Sequence, residues 1–68
     1  MKKIIIIEGM SCNHCVMAVK NALSEIKGVS NVYVELDNSR AVVEGENLID
    51  EILKEGIEEA GYDVVEIK

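Results

Sequence analysis

Every cysteine and the single histidine of this 68-residue chain fall in one four-residue window, Cys12-Asn13-His14-Cys15. Two sulfurs at a Cys-x-x-Cys spacing can hold one soft metal ion or close one disulfide. Thiolates suit Cu(I), Zn(II) and Hg(II), but a closed structural zinc site takes four ligands and this window offers at most three. Undersaturation favours an ion content with two sulfurs. Thiol–disulfide exchange is the rival chemistry, because a Cys-x-x-Cys pair near a β-α-β pattern is also a thioredoxin-like sign. The surroundings oppose it: Met10-Ser11 stands where such proteins usually carry an aromatic residue, and the chain has no proline to supply a cis-Pro facing the thiols.

The elements that must position the pair follow from periodicity. Lys3 to Glu8 is β-branched, bounded by Gly9, and its unbroken isoleucines predict a central strand. From Cys15 onward Val16, Val19, Ala22, Leu23 and Ile26 recur at helical spacing, with Gly28 after Lys27 as a stop and Ser11 or Asn13 as a cap. Cys15 therefore belongs to the first helical turn, where backbone N–H groups and the helix dipole lower a thiol pKa. Cys12, in the loop before it, is expected to be exposed and mobile.

Val32, Val34 and Leu36 alternate with Tyr33 and Glu35, Asp37-Asn38-Ser39 supplies a turn, and Arg40 to Glu44 returns with Ala41 and Val43 facing inward. That pattern is a β-hairpin. Asn47 is expected to cap a second helix whose buried stripe is Leu48, Ile49, Ile52, Leu53, Ile57 and Ala60. Gly56 costs that helix about 1 kcal/mol. Gly61 closes it, and Tyr62 to Ile67 is the last strand. The order β-α-β-β-α-β predicts an α+β ferredoxin-like sandwich, a four-stranded antiparallel sheet with two helices on one face. In that topology the end of the first strand, the hairpin turn and the Gly61-Tyr62 junction meet at one edge, which places Tyr62 near the cysteines.

Size and charge narrow the function. Residues 1–68 make one domain with an aliphatic core, since the chain has two Tyr and neither Phe nor Trp. An enclosed substrate pocket does not fit in so short a chain, and it is not expected to be an enzyme. A net charge of −6 opposes nucleic acid and anionic membranes as partners. Glu8 ends the Ile4–Ile7 run well short of an export signal, and no span is long enough to cross a membrane. The expected location is the cytoplasm, where thiols stay reduced.

The run Gly9-Met10-Ser11-Cys12-Asn13-His14-Cys15 resembles the heavy-metal-associated domains, whose signature is Gly-Met-x-Cys-x-x-Cys after strand one. The resemblance continues through Lys27-Gly28-Val29, Val32-Tyr33-Val34 and Gly61-Tyr62-Asp63-Val64. It implies the bacterial copper chaperone type: Cu(I) held by Cys12 and Cys15 and passed to the metal-binding domain of a copper-transporting P-type ATPase. It also implies Met10 as a core residue beneath the loop, Tyr62 as a neighbour of the site, and no standard ligand role for His14.

Hg(II), Zn(II) or Cd(II) is the alternative cargo. A monomer is expected without metal, and two copies sharing one ion through both Cys pairs is left open. Met1 and the compact ending at Lys68 favour an independent protein over an excised ATPase domain. Tyr33 reads as plain surface, and Asp50, Glu51, Glu55, Glu58 and Glu59 as a solvated face that could bias docking toward a basic partner.

Overall fold

Ile5 and Ile7 are completely buried, whereas Ile4 and Ile6 between them are only partly covered. Side chains of a strand alternate between faces, so one face of β1 (Lys2–Glu8) enters the core and the other stays open to solvent. The computed structural model describes all residues, Met1–Lys68. After β1 come α1 (Asn13–Ser24), β2 (Val29–Glu35), β3 (Arg40–Gly45), α2 (Asp50–Glu59) and β4 (Asp63–Ile67). The strands form one antiparallel sheet in the order β2-β3-β1-β4, so the isoleucine strand is internal as its composition predicted.

Register fixes which residues meet the helices. Ile5 pairs with Ala41, and Val32 pairs with Val43, putting all four on one face. They form a single cluster with Val19 and Leu23 of α1 and with Leu53 and Ile57 of α2. Both helices therefore cover the same side of the sheet. Burying each large aliphatic side chain contributes about 2 kcal/mol against the entropy of ordering the chain.

The elements differ from expectation at their ends, each time for a local reason. Neither Ser11 nor Asn13 caps α1: Cys12 is the N-cap, extended at φ −157, with no side-chain cap bond. Its carbonyl accepts from the Cys15 and Val16 N–H groups at 3.0 and 3.2 Å, leaving its sulfur free. Gly28 does not stop α1, which ends at Ser24 before a turn. Gly28 (φ 97) instead allows a close backbone approach, because a Cβ there would collide with the Glu46 carbonyl.

Asn47 takes a left-handed turn (φ 56), and α2 starts after Ile49. Of the predicted stripe, Leu53 and Ile57 are buried, whereas Ile49 and Ile52 stand 54% and 44% exposed. Tyr62 precedes β4 rather than opening it.

Candidate metal centre

Three chain segments converge on the loop between β1 and α1. Gly9 (φ 99) turns the chain at the end of β1, in a conformation that L side chains rarely adopt. Met10 then points inward and is buried with the core cluster, so the loop is anchored from beneath. The hairpin between β2 and β3 approaches from one side, where the Ile7 N–H donates to the Ser39 carbonyl at 2.8 Å. Arg40 and Glu35 form an ion pair across its base, and Asn38 Nδ2 donates to Glu35 Oε2 at 3.2 Å. Arg40 holds the Glu35 carboxyl below the usual carboxylate range, with Asn38 helping.

The third segment is the end of α2. The Gly61 N–H donates to the Glu58 carbonyl at 3.0 Å and the Tyr62 N–H to the Ile57 carbonyl at 3.2 Å. This paired closure is a Schellman turn, which satisfies the last carbonyls and fixes the direction in which Tyr62 leaves the helix. Tyr62 packs against the core and faces Gly9, where a Cβ would sit 3.5 Å from its ring.

Cys12 is exposed and Cys15 half-buried, both as free thiols with their sulfurs 3.7 Å apart. Ser11 Oγ lies 3.9 Å from Cys15 Sγ. The Ser11 backbone N–H is the main cause that draws the Cys15 pKa from 9.0 to about 6, followed by the Tyr62 hydroxyl, with Cys12 adding to both. The thiolate in turn raises the Tyr62 phenol. The direction for Cys15 matches the expectation from a helix entrance. The leading donor, however, lies in the loop before the helix, and a backbone N–H leaves no trace in residue type.

Two sulfurs 3.7 Å apart lie within the span that one soft ion bridges at bonds of about 2.3 Å. His14 is exposed and forms no cluster of three ligating groups with the cysteines. Tyr33 is exposed, as its strand position predicted.

A family model for the heavy-metal-associated domain matches residues 4–63. The chain belongs to the heavy-metal-associated domain family. Among other members, the copper chaperone CopZ of Staphylococcus epidermidis is 49% identical over 65 residues, covering 93% of this chain and 96% of that protein. The solved CopZ metallochaperone superposes with a TM-score of 0.91 at 40% identity, over 96% of this chain and 100% of that one. A copper binding domain from HMA7, a P-type ATPase, gives a TM-score of 0.91 at 35% identity, over 100% of this chain and 95% of that one. Heavy-metal-associated domains thus share the whole ferredoxin-like sandwich with this chain. No helix here is long and apolar enough to cross a membrane.

Proposed function

We propose that this chain is a Cu(I) metallochaperone that holds one ion through Cys12 and Cys15 and passes it on by thiolate exchange. The observation that carries this reading is the pair of converging sulfurs, one half-buried and largely ionised near neutral pH and one exposed, on a chain 49% identical to a copper chaperone over 93% of its length.

The asymmetry of the pair sets the order of events. An incoming thiolate bonds to the ion at its open side, and the bond to exposed Cys12 breaks first. A second incoming sulfur then displaces Cys15, whose thiolate remains stabilised by Ser11 and Tyr62 after the ion departs. At no point is the ion released into water.

The receiver in this proposal is the metal-binding domain of a copper-transporting P-type ATPase, since the HMA7 domain has the same fold and can present its site face to face. Residues 1–68 act as one domain, as a carrier without catalysis, in the cytoplasm, where both thiols stay reduced. Disulfide exchange is the weaker use of the pair, because the thiol with the lowered pKa is half-buried Cys15 and an exchanger needs that thiol accessible. Two sulfurs without a third ligand also accept Hg(II), Zn(II) or Cd(II).

Anaerobic titration of the reduced protein with Cu(I) against a competing chelator tests the reading. One tightly held equivalent is expected, lost when both cysteines become Ser, with X-ray absorption showing sulfur neighbours alone. Tight binding that survives the double substitution would exclude these ligands, and stronger retention of Hg(II) or Zn(II) in the same buffer would replace copper.

A further inference from the structure

Ile49, the N-cap of α2, and Ile52 within that helix are aliphatic residues that the core does not use, at 54% and 44% exposure. Ile52 lies where two clefts meet on the helix layer. One, of about 410 Å³, is lined by Ala22, Ile26 and Ile52 together with Glu25, Glu55 and Glu59. The other, of about 350 Å³, runs on past Ile52 to Ile49 and Lys27. Gly56 keeps the first cleft open, since a Cβ there would press on Ile26 Cδ1 at 3.1 Å. No residue of the cysteine loop lines either cleft.

The charges around this groove work against the helix that carries them. Glu51, Glu55 and Glu59 follow one another at four-residue spacing, where like charges repel. Glu58 and Glu59 occupy the last turn of α2, at the negative end of its dipole, and that turn has no basic residue. Across the 410 Å³ cleft Glu25 adds a third carboxylate, and no cation lines it. Lys54 is the only cation on α2, so its acidic residues are left in excess. A ligand with aliphatic anchors and a cationic border gains on both counts.

We infer that the groove between α1 and α2 docks a basic amphipathic helix of a partner protein, at a face separate from the metal loop. The ten residues of α2 run about 15 Å, a little under three turns. That length accepts anchors at i, i+3 or i+4, and i+7 of a guest helix. A second copy of this chain would bring two acidic linings together, and nucleic acid or an anionic lipid surface would meet the same repulsion. Lys or Arg beside the anchors complements Glu25, Glu55 and Glu59 and speeds encounter.

The test is an amide-resolved NMR titration of the full chain with a synthetic Leu- and Lys-patterned helical peptide of about four turns. Two controls replace its Leu with Ser or its Lys with Glu. Saturable shifts centred on Ala22, Glu25, Ile52 and Gly56 are expected, with each control weaker by about tenfold or more. Ile52→Ser and the double substitution Glu55→Gln with Glu59→Gln alter exposed side chains and should each weaken binding while circular dichroism stays unchanged. The Gln pair keeps the test valid if the Ser variant unfolds. Equal binding of the Ser-substituted peptide overturns the inference, as do shifts centred on the open sheet face or the cysteine loop. Concentration-dependent shifts in the groove without peptide would assign it to a second copy instead.

Discussion

Tyr62 and Cys15 act on each other's acidity in opposite directions. The tyrosine hydroxyl is the second donor to the Cys15 thiolate, after the Ser11 backbone N–H, and that thiolate raises the phenol. The two residues lie 47 positions apart in the chain and meet only because the Schellman turn at the end of α2 aims Tyr62 back at the β1–α1 loop. Replacing Tyr62 with Phe should therefore raise the Cys15 pKa from about 6 part of the way toward 9.0, since the Ser11 donor remains. Thiolate ultraviolet absorbance against pH, compared with and without Tyr62→Phe in the Cys12→Ser background where Cys15 already starts higher, reports the rise, and an unchanged midpoint would remove Tyr62 from the site.

Folding stability of the metal-free protein should depend on pH in a defined window. The Cys15 pKa is depressed on folding, so the unfolded chain binds the extra proton between about pH 6 and 9.0. Stability contributed by this thiolate is fully present above the unfolded value and is lost as pH falls through about 6. Urea denaturation across that range should show a rising midpoint that flattens in Cys15→Ser. The Glu35 carboxyl adds a separate loss below its ordinary value of 4.5, caused chiefly by its bond with Arg40.

Met10 and His14 flank the same cysteine and should respond to substitution in opposite ways. Met10 is buried beneath the loop, so Met10→Ala should cost about 2–4 kcal/mol in urea denaturation while the sulfur ligands stay in place. His14 is exposed, and His14→Gln should leave stability and the sulfur-only Cu(I) environment unchanged. A nitrogen neighbour in the X-ray absorption of the wild type, absent in His14→Gln, would contradict the two-sulfur site.

At the end of β3 remote from the metal loop, Gly45→Ala forces a methyl group into the Gly28 carbonyl. Neither partner is a flexible side chain. A loss of about 2 kcal/mol or more is expected in thermal or urea unfolding, with the Cys15 thiol still titrating near 6 in the folded fraction.

Residue type and spacing alone determined the chemistry on offer here, because sulfur at both ends of Cys12-Asn13-His14-Cys15 admits few uses. They also determined the order of elements, since the alternation at Val32 and Val34 and the helical spacing of Val19 and Leu23 are local properties of the chain. Even the internal place of β1 was legible in its isoleucines. The helix boundaries were not: Asn47 has the side chain of a cap, yet a left-handed turn consumed it and α2 began at Asp50. The start of α2 lies two residues beyond the one that Asn47 as a cap predicts, and Ile49 and Ile52 stand exposed.

Only the tertiary structure decided which groups serve the thiolate. Ser11 acts through a backbone N–H that every non-proline residue possesses, and Tyr62 arrives from the far end of the chain. Such placement depends on how strands and helices pack against one core, a property of distances in space rather than of neighbours in sequence.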